Sequence, residues 1–333
     1  MIEPFEKQTE PLNYSSSRFS VAPMLDWTDR HCRFFHRLMT EKALLYTEMV
    51  HCGAILFGNR ERFLTFSPEE HPLALQLGGS DPEQLAQASK IAEDYGFDEI
   101  NLNVGCPSDR VQSGAFGACL MLTPQKVADC VHAMKQAVSI PVTVKCRIGV
   151  DEQDTEEALT ILTQACLEAG MSGLIVHARK AWLKGLSPKE NRDIPPLDYE
   201  RVYRLKQHYP SLFISINGGI KSLEEAHKHL QHVDGVMIGR KAYQEPSLLL
   251  NVDAEIFGKP PRLQSGKDII TAIEPYIEKQ IMQGVPLHAV SRHMLGLFNG
   301  QKGARLFRHY LAGKAHEKNA GIAILHDALK FLN

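Results

Sequence analysis

The chain has 333 residues, 44% hydrophobic and 23% charged, with a net charge of −2. That is the mix of a globular protein of one large domain or two smaller ones, and it excludes wholesale disorder. No window of eighteen apolar residues occurs, the first residues lack the basic-then-apolar plan of a secretory leader, and seven cysteines without a C-x-x-C pair suit a reducing compartment better than a disulfide framework or a structural zinc site. The expectation is a cytoplasmic protein with no membrane segment and no metal.

In chain order, eight short apolar runs rich in β-branched residues predict strands over 19–23, 44–49, 73–78, 99–105, 142–149, 173–179, 212–218 and 235–240. Amphipathic stretches between them, such as 81–96 and 123–138, predict helices. Each of these two opens on a cap-then-proline pair, Asp81-Pro82 and Thr123-Pro124. Strand and helix alternating eight times predict an α/β fold of the closed (β/α)8 TIM-barrel type rather than an antiparallel sheet. After Tyr243 the strand signal stops, and Gly258-Lys259-Pro260-Pro261 reads as a boundary. Helical patterns over 267–283, 286–298, 303–313 and 319–331 then predict a small all-α bundle. The division expected is a barrel over 1–254 and a helical domain over 259–333. Charge divides the same way. Residues 255–333 carry 11 Lys/Arg against 6 Asp/Glu, leaving 26 against 33 for residues 1–254. A basic segment on an acidic body suggests a polyanionic partner.

Barrel enzymes carry their sites at the carboxyl ends of the strands. The residues there are Pro23, Met24 and Leu25 after the first strand, Gln76 on the third, and Asn103 and Cys106 on and after the fourth. Lys145 and Arg147 lie on the fifth, His177 and Arg179 at the sixth, Asn217-Gly218-Gly219 at the seventh, and Gly239-Arg240 at the eighth. Glycines after strands seven and eight let backbone N–H groups approach a phosphate, a helix N-terminus adds a favourable dipole, and Arg240 can pair with the phosphate as a fork. The plainer reading of these glycines is tight βα turns. Lys145 stands among apolar neighbours, where a lysine needs a partner. A fixed cation there suits the reduced, anionic ring of a flavin, and Gln76 and His177 can hydrogen-bond its polar edge. Cys106 precedes Pro107 and opens the glycine-bearing loop 108–121. A thiol with its ordinary pKa of about 8.5 is mostly protonated at neutral pH, so it can donate a proton.

At these residues the chain resembles the tRNA-dihydrouridine synthases, and within them the dihydrouridine synthase A subfamily. The matching segments include APMLDWTDRHCRFF (22–35), LYTEMV (45–50), LALQLGGSDP (73–82), DEINLNVGCPSDRVQSGAFGACLM (98–121), VHARKAWLKGLSPKENRDIPPLDY (176–199), SINGGIKSLEEA (215–226) and DGVMIGR (234–240). RHMLGLF (292–298) extends the resemblance into the helical segment. It implies FMN on the barrel, reduction by NADPH, and reduction of the C5=C6 bond of uridines 20 and 20a in the tRNA D-loop. By position it implies Pro23, Met24, Leu25, Gln76, Lys145, His177, Asn217, Gly218, Gly219, Gly239 and Arg240 as the flavin set, and Cys106 as the proton donor. Asn103 would face the uracil edge, and Lys189, Arg192, Arg305 and Arg308 would orient the tRNA. Lys302, Arg305 and Arg308 are expected at helical spacing on one side. No obligate protein partner is inferred. The rival reading is a flavin barrel oxidoreductase acting on a free pyrimidine, which leaves the basic helices without a purpose.

Overall fold

The computed structural model describes residues 16–108, 114 and 116–332. Of the loop expected over 108–121, residues 109–113 and 115 lie outside the described residues. Eight parallel strands close into a barrel in sequence order: β1 (Phe19–Val21), β2 (Leu44–His51), β3 (Leu73–Gly78), β4 (Glu99–Val104), β5 (Val142–Arg147), β6 (Gly173–His177), β7 (Phe213–Asn217) and β8 (Gly235–Ile238). Every predicted strand is present; seven of the sixteen ends are trimmed by one or two residues, and β2 runs two residues further than predicted, to His51. The pairing of β1 with β8 completes the ring, with Phe19 beside Val236.

Successive side chains on a strand point to opposite faces, so each strand serves two environments. Outward residues such as Leu75, Leu102, Val144, Val176 and Ile216 pack under the helices and form the large core. The inward apolar set is small: Ala22, Leu44, Tyr46, Ala74, Ile175 and Met237. Much of the rest of the lumen is polar, with Gln76, Asn101, Asn103 and Thr143 buried inside it.

The helices Pro82–Tyr95 and Pro124–Ala137 follow β3 and β4 as predicted. Asp81 caps the first by accepting from the Gln84 N–H. Thr123 does not cap the second with its side chain; its hydroxyl donates to the Leu120 carbonyl.

Beyond residue 258 come the helices Gly266–Met282, Leu287–Ser291, Ala304–Lys314 and Ile322–Leu329. The second is much shorter than the 286–298 pattern. It tightens into a 3-10 turn over Arg292–Met294, and Gly296 then lies so close to the Gln244 carbonyl that a Cβ there would sit 2.0 Å from the oxygen. Lys302 lies before the Ala304–Lys314 helix, separated from it by Gly303, so only Arg305 and Arg308 of the expected trio share it.

These helices dock beside the first βα turn. Asp29 caps the helix Arg30–Arg37 through the N–H groups of His31 and Cys32, and the same carboxylate meets Arg292 at 2.6 Å and His293 at 3.0 Å. Burial alone would raise the Asp29 pKa. The close approach of His293 and the hydrogen bonds from Cys32 N–H and Arg292 instead hold it well below the usual carboxylate range. Around it Trp27 stacks on Tyr243 (4.4 Å), Phe34 stacks on Tyr276 (3.8 Å), and His31 Nδ1 lies 2.7 Å from the Tyr276 hydroxyl.

Candidate active site

At the carboxyl end of β4, Asn103 folds the chain back on itself. Its Oδ1 accepts the N–H groups of Gly105 and Cys106 at 3.1 and 3.0 Å, a local turn that an asparagine favours. Arg147, on neighbouring β5, braces the same turn from the other side. It donates to the Gly105 carbonyl (3.2 Å) and also to the carbonyls of Lys180 (3.1 Å) and Asn191 (2.8 Å). Cys106 is half-buried, with its Sγ 3.5 Å from Ser108 Oγ. The thiol is thus aimed by two held neighbours.

Lys145 follows Asn103 across the β4–β5 pairing. Its ammonium has one hydrogen-bond partner among the described residues, Asn217 Oδ1 at 3.1 Å, while Asn217 Nδ2 donates to the Met237 carbonyl. Burial, with Arg147 nearby, lowers the Lys145 pKa to about 8, so it stays largely cationic at neutral pH. Burial also drives His177 well below its ordinary value, helped by Arg147, Lys145, Arg179 and Arg240, which leaves the imidazole neutral. Gln76 is fully enclosed. Its Nε2 donates to Asn101 and its Oε1 accepts from Asn103, both at 2.8 Å.

The turns after β7 and β8 differ in kind. Gly218 and Gly219 have φ of +113° and +73°, and a Cβ would lie 2.5 Å from the His177 ring or 2.6 Å from Leu197. Both positions therefore require glycine. Gly239 has φ −101°, and a Cβ there would meet nothing nearer than 3.6 Å. The helices behind these turns are short, Leu223–His229 and Arg240–Gln244, so turn N–H groups and arginines rather than a helix dipole are the donors for an anion. The Arg240 fork meets the Asp193 carboxylate at 2.7 and 3.2 Å. Arg179, which also faces this corner, donates through Nη1 to the Pro195 carbonyl, and its buried Nε has no hydrogen-bond partner. That N–H is a donor still available to an acceptor at this corner.

On the first turn, Thr28 Oγ1 accepts from the Met24 N–H, and Glu48 accepts the Asp26 N–H at 2.5 Å. Pro23 and Met24 are half-buried there and Leu25 is 66% exposed. Lys189 and Arg192 sit exposed on the loop after β6, whose course is fixed by buried Asn191 through bonds to Trp182, Leu186 and Ser187. Arg305 and Arg308 lie apart from the barrel residues, on the Ala304–Lys314 helix, where Arg308 donates to Asn299. Sequence reasoning gave Arg147 and Arg179 no task and passed over Asn191 and Glu48. An isolated Asn in a loop has no local signature.

The model of the family described as dihydrouridine synthase (Dus) matches residues 20–333. A tRNA-dihydrouridine(20/20a) synthase of Vibrio parahaemolyticus is 60% identical over 315 residues, covering 94% of this chain and 96% of the relative. Proteins of the same name from Escherichia coli K12 and Shewanella oneidensis are also 60% identical, covering 95% and 92% of this chain and 92% and 91% of their own lengths. A family match from the first strand to the last residue, with relatives this similar at nearly full length, settles kinship: the chain belongs to the dihydrouridine synthase family.

Proposed function

We propose that this protein reduces the C5=C6 bond of uridines 20 and 20a in the tRNA D-loop to 5,6-dihydrouridine, in the cytoplasm, with FMN as resident cofactor and NADPH as reductant. Family membership and the names of the relatives support the reaction and the positions. The observation that carries the reading is the turn bearing Cys106, held through its backbone by Asn103 and Arg147 at the end of the barrel where Lys145, His177 and the obligate glycines also lie.

The residues fit FMN. The turns after β7 and β8 present backbone N–H groups of Gly218, Gly219 and Gly239, Arg179 and Arg240 supply cationic donors near them, and Lys145 retains N–H protons beyond the one given to Asn217. Gln76, His177, Asn217 and the turn Pro23–Leu25 would hold the ring. Bound FMN supplies the hydride that reduces C6, once NADPH has reduced it.

The remaining equivalent is a proton at C5. Cys106 is the general acid: its S–H bond breaks, the electron pair of the former C5=C6 bond takes the proton, and the thiolate is reprotonated from water. As negative charge gathers on the uracil, the Asn103 amide donates to a carbonyl oxygen. A base stacked within folded RNA cannot reach this mouth, so the target nucleotide must be turned out. Lys189 and Arg192 beside the mouth, and Arg305 and Arg308 on the helices, would contact phosphates. Residues 1–254 would thus perform the chemistry and residues 259–333 grip the tRNA. Among the described residues no helix is long and apolar enough to cross a membrane.

The test is incubation with NADPH and tRNA from cells lacking the protein, with dihydrouridine mapped by mass spectrometry. Product at 20 and 20a is expected. Reduction of free uridine with tRNA left unchanged would instead favour a pyrimidine reductase.

A further inference from the structure

The barrel lumen holds a chain of buried polar side chains of which the reaction above uses only the two nearest the mouth, Asn103 and Gln76. It starts where the N–H groups of Gly105 and Cys106 donate to Asn103 Oδ1. A backbone N–H can only donate, so that oxygen must face the turn, and Asn103 Nδ2 is left to donate to Gln76 Oε1 at 2.8 Å. The same logic runs down the lumen. Gln76 Nε2 donates to Asn101 Oδ1 (2.8 Å), Asn101 Nδ2 to Thr143 Oγ1 (2.9 Å), and the Thr143 hydroxyl to Glu99 Oε1 (2.5 Å). The Tyr46 hydroxyl donates to that same oxygen at 2.7 Å. Every bond points one way, and the chain ends on an acceptor at the foot of β4.

Burial pushes the Glu99 pKa up to about 7, opposed by the bonds from Thr143 and Tyr46. Protonation of the other carboxyl oxygen leaves Oε1 accepting, so the direction survives in either state. Reversing any one amide would set donor against donor or acceptor against acceptor in a site closed to water. Asn103 Oδ1 already accepts two bonds, so its second amide N–H is what it has left for a base. A donor matches a uracil carbonyl and not a cytosine amino group.

We propose that Glu99 is a positioning residue: as terminal acceptor it closes the chain whose other end the Gly105 and Cys106 N–H groups orient, and so holds Asn103, and the turn that carries Cys106, in place toward the pyrimidine. This deepens the function proposed above and rests on it.

The test uses the full-length flavin-loaded protein and three variants, Glu99→Gln, Glu99→Leu and Thr143→Val. Thr143→Val keeps the side-chain shape and removes the link next to Glu99, so it decides the matter should Glu99→Leu fail to fold. With tRNA, Glu99→Leu and Thr143→Val are expected to lower kcat by about 10- to 100-fold with KM and bound flavin unchanged. Glu99→Gln, which keeps an acceptor oxygen, should stay within about twofold of the unaltered protein. Independently of any activity, iodoacetamide should alkylate Cys106 about fivefold faster in Glu99→Leu and Thr143→Val, followed by peptide mass spectrometry. Unaltered kcat and unaltered alkylation in Thr143→Val would overturn the proposal, as would a Glu99→Gln variant as impaired as Glu99→Leu. If the unaltered protein left tRNA unmodified, the function proposed above would fall, and the alkylation rates alone would decide whether Glu99 holds the turn.

Discussion

The barrel mouth and the C-terminal helices hold their polar residues in opposite ways. In the barrel, Asn103, Gln76 and Arg147 are at most 8% exposed and each makes two or more specific hydrogen bonds. On the helix Ala304–Lys314, Arg305 and Arg308 stand exposed, and Arg308 shares one bond with Asn299. Placing a thiol against one carbon requires near-fixed geometry, and buried, fully bonded neighbours provide it. Attracting a phosphate backbone requires only charge within a Debye length, which a mobile surface arginine supplies. The contrast separates a rigid centre from an electrostatic surface, and it can be pressed at four points.

The largest effect belongs to the rigid side. Cys106→Ala should keep flavin binding and NADPH oxidation yet lose about 10²- to 10⁴-fold in dihydrouridine formation, the usual range for a lost general acid. Turnover on tRNA equal to that of the unaltered protein would remove Cys106 from the mechanism.

Next comes the junction between the two regions. The Asp29 pKa is depressed in the folded state, so its carboxylate contributes its full stability above its unfolded value of about 4; the contribution declines below that pH and is lost only as pH falls through the lower folded value. Asp29→Asn keeps an oxygen for the helix cap but removes the charge facing Arg292 and His293. A stability loss of about 1–3 kcal/mol at neutral pH is expected, fading toward pH 3. Denaturant titration at both pH values, reading Trp27 fluorescence in a Trp182→Phe background, tests this; equal losses at the two pH values would contradict it.

Arg240→Ala should weaken FMN binding by about tenfold, because a cation near the phosphate turns disappears and leaves Asp193 unpaired there, while the Gly218 and Gly219 turn remains. An unchanged dissociation constant would count against the phosphate assignment. The smallest effect is predicted for Arg305→Ala with Arg308→Ala. Stability should shift by less than about 0.5 kcal/mol and the flavin spectrum should not move. The slope of log affinity for tRNA against log salt should flatten by about 0.7–0.9 per lost contact. Identical slopes would make these arginines plain surface charges.

The same contrast governs what the sequence revealed. The eight strands were legible because β-branched runs alternate with capped amphipathic helices, and the mouth residues because barrel sites lie at strand ends. The Glu99–Asn103 chain was not. In EINLNV polar and apolar residues alternate, and only closure of the ring brings Glu99, Asn101 and Asn103 together with Gln76 and Thr143 inside one lumen. The Arg240–Asp193 pair spans 47 positions, and no local pattern announces it. The second C-terminal helix looked longer than it is because its apolar spacing continues through the 3-10 turn, where contact with Gln244 dictates the backbone.

The junction at Asp29 also imposes an order on the birth of the molecule. Arg292 follows Asp29 by 263 positions, so at about 5–20 residues per second a ribosome completes the second partner roughly 13–53 s after the first. Residue 238, the end of β8, emerges before Arg292. The nascent barrel therefore has all its strands while the Asp29 carboxylate still lacks Arg292, and the first βα turn, beside the mouth, receives its last supports only after the eighth strand. An emerging chain cannot grip RNA with helices it does not yet have, so assembly of the junction follows completion of the barrel's strands.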